Sequence, residues 1–338
     1  MPEEQKNNQL QEIMGKLENG VADFFQSKKY MDYLKVISKF HNYSLNNTLL
    51  ICMQKPDATL VAGYTAWKNI FKRQVVKGEK GIKIIAPVPY TKIVEKDRID
   101  PDSGLPLKDN KGNNVKEKVE VKYMSFKLVN VFDISQTEGK EIPEMITTLK
   151  GNVEQFQDFL FVLKEVSPVP VGFENIAGKT HGYFHNMEKR IAINEGESQM
   201  QTIKTLIHEI VHAKLHNVDM KSFQQDQKSR NSKEVEAESV AYVVCQHFGI
   251  DTSDYSFGYI AGWSSGKNTE ELKTSLELIR DTSSKLINEI GEKMQERQQS
   301  KEVGKRDSVL DKLKNNQKML QSNGVRENGV LQRNEVIR

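Results

Sequence analysis

The chain has 338 residues, of which 37% are hydrophobic and 28% charged, with a formal net charge of +3. That length exceeds what one hydrophobic core usually organises, so two domains and some additional chain are expected. No apolar run approaches the ~18 residues of a membrane helix, so no membrane-spanning helix is expected. Met1 to Gln11 is polar and acidic, unlike a secretory or transit segment, and Cys52 and Cys245 are too few for a disulfide framework. A cytoplasmic protein with two buried thiols is expected. Charge is uneven: +4 over residues 1–145, −5 over 146–290 and +4 over 291–338. These segments are taken as two domains and a polar tail, helical or disordered.

Residues 9–40 carry apolar positions at helical spacing (Leu10, Ile13, Leu17, Val21, Phe24, Leu34, Ile37), with Gly15 and Gly20 as interruptions, so two or three helices are expected. Ser44 reads as the cap of a further helix that Pro56-Asp57 stops. From Tyr64 to Lys83 the chain is both basic and aromatic. Tyr64 and Trp67 stand among Lys68, Lys72, Arg73, Lys77, Lys80 and Lys83, with Glu79 the only acid. Cations that track phosphates, interleaved with rings on which unpaired bases stack, suit single-stranded nucleic acid. The competing reading puts Trp67 and Phe71, four apart on a helix, in a core with the lysines as its solvated face. Gly78-Glu79-Lys80-Gly81 reads as a tight turn into a strand Ile82–Ala86, which Pro87 and Pro89 should end. Residues 95–120 read as an exposed hairpin or loop, and Val119 to Phe132 as a second strand. The first domain is therefore α+β.

The series Tyr43-Ser44-x-x-Asn47, Gln54, Ala58-Thr59-x-Val61-Ala62-Gly63-Tyr64-x-x-Trp67, Phe71-Lys72-Arg73, Lys77-Gly78-Glu79-Lys80-Gly81-Ile82 and Phe132-Asp133-x-Ser135-Gln136-Thr137 closely resembles the amino-terminal domain of the ArdC antirestriction family. The resemblance covers roughly residues 8–140. It implies an antirestriction protein of a mobile element, whose first domain binds single-stranded DNA and is followed by a zincin-type metallopeptidase domain.

In the middle region, Val153–Val162 reads as a helix, Pro168 and Pro170 open an extended connection, and Gly182–Asn186 and Arg190–Asn194 read as two short strands. Then comes His208-Glu209-Ile210-Val211-His212, the HExxH pattern, on a helix whose stripe is Met200, Ile203, Ile207, Ile210 and Val211. A spacing of four puts both imidazoles on one side, where they can converge on Zn²⁺, with Glu209 beside them as the catalytic base. A third protein ligand is needed, and Glu234, Glu236 and Glu238 all begin the next helix, Lys233–Phe248. Periodicity does not choose among them. The family resemblance points to Glu238, through Ala237-Glu238-x-x-Ala241. His216 extends the histidine face but reads more simply as a surface residue at a helix end. Tyr259 to Ser264 is read as core rather than cleft wall, and Asn268–Ile290 as a last amphipathic helix.

Three functions compete. The first is an ArdC-type protein that binds single-stranded DNA and cleaves an unknown protein substrate. The second is an ImmA/IrrE-like regulatory protease that cuts a repressor, its first domain serving only to localise it. The third makes the metal purely structural, although such zinc normally has four protein ligands and three stand out here.

Overall fold

The computed structural model describes residues 3–142, 153–217, 229–252, 254–255 and 257–331. In chain order the elements are α1 (Glu3–Gly20), α2 (Ser27–Phe40), α3 (Leu45–Gln54), β1 (Val61–Gly63), α4 (Tyr64–Asn69), β2 (Arg73–Val75), β3 (Ile82–Asp97), β4 (Lys116–Asp133), β5 (Thr137–Gly139), α5 (Val153–Val166), β6 (Val171–Glu174), β7 (Gly182–His185), β8 (Arg190–Asn194), α6 (Gln199–Leu215), α7 (Arg230–His247), α8 (Ile260–Ser264) and α9 (Thr269–Leu331). Helix and sheet are mixed throughout, as the α+β reading requires. Among the described residues no helix is long and apolar enough to cross a membrane.

Packing divides the chain into one unit of Met1–Thr147 with Gln227–Ser284 and another of Thr148–Asp226 with Lys285–Arg338. The sequence-based boundaries, 1–145, 146–290 and 291–338, run differently, because α7 belongs with the amino-terminal helices. Its Val235, Ala237, Val240, Ala241, Val244 and Cys245 are buried, as are Tyr30, Leu34 and Ile37 of α2. The Tyr30 hydroxyl meets Ser239 Oγ at 2.7 Å, and His247 Nδ1 lies 2.7 Å from the Ser38 carbonyl oxygen. Burying such a stripe is worth more than chain proximity, so a helix read as part of the second domain packs with the first. The region after 290 continues as α9 to Leu331.

In the first unit, Ser44 caps α3 by accepting from the Asn47 amide, as its sequence predicts. Gly20 ends α1, whereas Gly15 lies inside it. The three-stranded sheet runs β1-β4-β3, and β2 pairs with β5. The strand expected to end at Pro87 instead continues to Asp97, paired with β4 throughout. The reason is parity on an edge strand. Lys83 and Ile85 turn their backbone groups away from β4 toward α3, where Asn47 Nδ2 donates to the Ile85 carbonyl (2.9 Å) and Asn47 Oδ1 accepts from its N–H (2.8 Å). Gln54 does the same for Lys83, at 2.9 Å both ways. Pro87 and Pro89 share that parity, so their missing N–H groups face outward and interrupt no ladder bond.

In the second unit, β8 pairs antiparallel with β7, as expected, and parallel with β6, which the sequence does not announce. Helix α6 lies against this sheet. A Cβ on Gly182 would stand 2.6 Å from Thr205 Cγ2 and 2.9 Å from the Ala192 carbonyl oxygen, so only glycine allows β7 this close to the helix. Leu206, Ile207, Ile210 and Val211 are fully buried, while Met200, expected in that stripe, is exposed.

Candidate metal centre and nucleic-acid interface

Ser198 caps α6 by accepting from the Gln201 amide at 3.2 Å. Helix α6 carries His208 and His212 one turn apart on one side, and His216, four residues further on, is its C-cap. His208 Nε2 and His212 Nε2 lie 3.0 Å apart, and His212 Nδ1 and His216 Nδ1 lie 2.9 Å apart. Each neutral imidazole has one N–H, so one proton serves each facing pair. If His212 Nδ1–H donates to His216, then His212 Nε2 is a lone pair aimed at His208 Nε2. A cation accepted by both Nε2 atoms satisfies this arrangement, and the set fits a borderline metal such as zinc. His216, assigned no role from sequence, is buried and braces His212. Its signal was the same four-residue step. Glu209 is on the same helix and buried.

The candidate third ligands sit on α7, within the first unit. Glu236 is 1% exposed, the most buried of the three. Burial pushes the Tyr30 hydroxyl above its ordinary pKa; the Ser239 bond offsets part of this, and the Glu236 and Glu238 charges push further upward. Glu234 and Glu238, one turn apart, are half-buried. The Tyr259 hydroxyl donates to the Glu238 carboxylate, and burial together with that carboxylate raises the tyrosine's pKa. Trp263 packs on Phe25 with ring centroids at 5.6 Å and donates to Ser232 Oγ at 3.1 Å, a core position as expected.

The basic aromatic stretch is dispersed by the fold. Trp67 is fully buried, donates Nε1–H to the Phe132 carbonyl at 2.8 Å and packs on Phe71 at 4.9 Å. It offers no face to a base, so it belongs to the core. Arg73 is spent on structure: Nε donates to Thr137 Oγ1 (2.7 Å), Nη2 to the Thr137 carbonyl (2.7 Å), and Nη1 to the carbonyls of Gly139 (3.2 Å) and Lys140 (2.7 Å). These bonds clamp β2 to β5. Tyr64 is 52% exposed. Lys68, Lys72, Lys77, Lys80 and Lys83 are exposed as well.

The turn bearing Lys77 and Lys80 is held by Gln136, whose Nε2 donates to Glu79 Oε2 (2.8 Å) and the Lys80 carbonyl (2.9 Å). Gly78, at φ 97°, makes the bend. Gln136 in turn accepts from the Asp133 amide at 2.9 Å, closing a capping box. Asp133 Oδ1 accepts from the amides of Thr59 (2.7 Å) and Leu60 (3.1 Å), and Oδ2 from Ser135 (2.9 Å). Burial alone would raise the Asp133 pKa, but the bonds from Ser135, Thr59 and Leu60 outweigh it and hold the carboxyl below its usual range.

Residues 3–132 match the model of the N-terminal domain of the anti-restriction factor ArdC, and residues 165–247 match Peptidase_M78, an IrrE N-terminal-like domain. The chain is also similar to an uncharacterized protein of Bacillus anthracis, 29% identical over 328 residues that cover 88% of this chain and 54% of that one. It thus spans about half the length of that curated relative. Two crystal structures of the antirestriction protein ArdC from plasmid R388 are similar. The metal-free one is 18% identical with a TM-score of 0.44, covering 75% of this chain and 86% of that chain. The Mn(II)-bound one is 17% identical with a TM-score of 0.39, covering 75% and 85%.

Proposed function

The chain joins an ArdC-type amino-terminal domain to an IrrE-like Peptidase_M78 domain, and from that premise we propose an antirestriction-type protein that binds single-stranded DNA and hydrolyses peptide bonds with the help of zinc. The observation that carries the enzymatic half is the pair of facing imidazole nitrogens, 3.0 Å apart on α6. His208 and His212 are the first two ligands. Glu238 is proposed as the third, its carboxylate oriented by the Tyr259 hydroxyl; Glu234, one turn earlier, is the competing choice. When bound, zinc supplies Lewis-acid polarisation of a carbonyl and acidifies a ligated water toward a pKa of ~7. Glu209 then takes a proton on a carboxylate oxygen and returns it to the leaving amine. His216 holds His212 in the tautomer that leaves its Nε2 lone pair for the cation.

Metal content after dialysis tests the centre. His212→Ala should retain no stoichiometric zinc, because two remaining ligands hold it poorly, and a full equivalent in that variant rejects the assignment. Glu238→Gln and Glu234→Gln, measured side by side, identify the third ligand as the one whose loss empties the site. Glu209→Gln should keep its metal and lose proteolysis. The IrrE-like match supports the second reading, a regulatory protease acting on a repressor. Full protection from host restriction by Glu209→Gln would assign antirestriction to DNA binding and leave proteolysis to that second role.

The nucleic-acid half rests on Tyr64 and the exposed Lys68, Lys72, Lys77, Lys80 and Lys83, with Trp67 and Arg73 withdrawn as contacts and kept as scaffold. Binding should be tighter to single strands than to duplex and should weaken with salt.

A further inference from the structure

Strands β3 and β4 outrun the core. No residue from Ile85 to Asn130 is buried, so this hairpin is an arm with two open faces. The pairing register assigns side chains to each face. One face carries Pro87 with Phe126 and Pro89 with Met124, then Thr91 with Lys122, Ile93 with Glu120, Glu95 with Lys118, and Asp97 with Lys116. Its three lysines are matched by three acids, and the last two rows are opposite-charge pairs that stabilise the arm itself. The other face carries Lys127, Tyr90 opposite Tyr123, Lys92, and Lys96 opposite Glu117. There the cations outnumber the acid three to one, in rows spanning about 33 Å of strand. Tyr90 and Tyr123 stack on each other, with centroids 5.6 Å apart and planes 24° off parallel, yet remain 48% and 39% exposed. Two rigid rings left wet at the centre of a basic row suit a flat, negatively charged partner. On the outer edge beside them, Pro87 and Pro89 remove two of the N–H groups an incoming strand would use.

We propose that the Tyr90/Tyr123 face of this arm is a second contact for single-stranded nucleic acid, with bases stacking on the tyrosine pair and phosphates meeting Lys92, Lys96 and Lys127. The proposal rests on the reading that the first unit binds single strands, and it extends that surface from the Lys77–Lys80 turn onto the arm. Stacking needs an unpaired base, so the tyrosines serve single strands and leave duplex affinity untouched.

The test is titration of a labelled oligo-dT with the full chain at several salt concentrations. Tyr90→Leu with Tyr123→Leu keeps an apolar pair at the same register and should weaken binding about tenfold or more with an unchanged salt slope. Lys92→Glu with Lys127→Glu should reduce the log–log slope by about 1.4. Phe126→Ser, on the opposite face, should bind as wild type does, and thermal melting of each variant establishes that it is folded. If wild type binds and Lys77→Glu with Lys80→Glu weakens it while folded arm variants bind normally, the arm is not a contact and only this inference falls. If wild type binds no single strand, the parent reading falls with it. An equal loss on duplex, or a change in self-association by sedimentation with DNA binding intact, would also overturn the stacking role.

Discussion

On α6 and its C-cap, three imidazoles stand at four-residue intervals, and that one element with its cap brings neighbouring nitrogens to 2.9–3.0 Å from each other. Between Tyr64 and Lys83, residues nominated together by composition end up on a helix, a strand, a turn and a sheet edge, one buried and one consumed as a clamp. A motif defined by spacing within a single element survives folding unchanged. A motif defined by composition across several elements is re-sorted by burial, and only the tertiary structure says which members keep their chemistry.

The largest effect that sharpens this contrast is expected at Trp67. As a core residue, Trp67→Ala should destabilise by about 3–5 kcal/mol in chemical denaturation, whereas a surface stacking residue would lose DNA affinity at unchanged stability. Gly182→Val comes next. Its side chain would collide with Thr205 on α6 and with β8, and a cost of about 1–3 kcal/mol should be accompanied by weaker metal retention. A normally stable variant would show that the sheet does not hold the helix in place.

Asp133 tests the scaffold beneath the basic turn. Its folded pKa lies below its unfolded value, so its contribution is complete above the unfolded value of ~3.9 and disappears as pH falls through the folded one. Asp133→Asn should therefore lower stability near neutral pH by about 1–3 kcal/mol and flatten the acid limb of the stability–pH curve. An unchanged limb would assign acid sensitivity elsewhere. The smallest stability effect belongs to Lys77→Glu with Lys80→Glu, within about 0.5 kcal/mol of wild type, even though the log–log salt slope should drop by about 1.4. Loss of stability there would make those lysines structural, like Arg73.

The sequence made legible whatever is local. The α6 helix, the Ser44 cap, the β7–β8 hairpin and the turn at Gly78 each follow from residues within a few positions of one another. Four features needed partners distant in sequence. Pro87 and Pro89 fit a strand only because β3 is an edge and the parity is right. Helix α7 joins the first unit because its buried stripe packs with α2, some two hundred residues earlier in the chain. The parallel pairing of β6 has no turn signal to announce it, and Trp67 shows its allegiance only once its indole N–H finds the Phe132 carbonyl. His216 lay between these cases: its spacing was visible, but its burial was not.

The side-chain amides of Asn47 and Gln54 have one more consequence. By pairing with Ile85 and Lys83 they let a helix take the place of a neighbouring strand, so these two backbone N–H groups are shielded by α3 rather than by the sheet. Their hydrogen exchange should report the opening of α3, not the fraying of the long hairpin. Amides farther out, such as Thr91 and Ile93, share the outward parity without such cover and should exchange freely. Exchange of the Ile85 and Lys83 amides in step with those of α3, and faster exchange at Thr91 and Ile93, would mark the base of the arm and the helix beside it as one cooperative unit distinct from the tip.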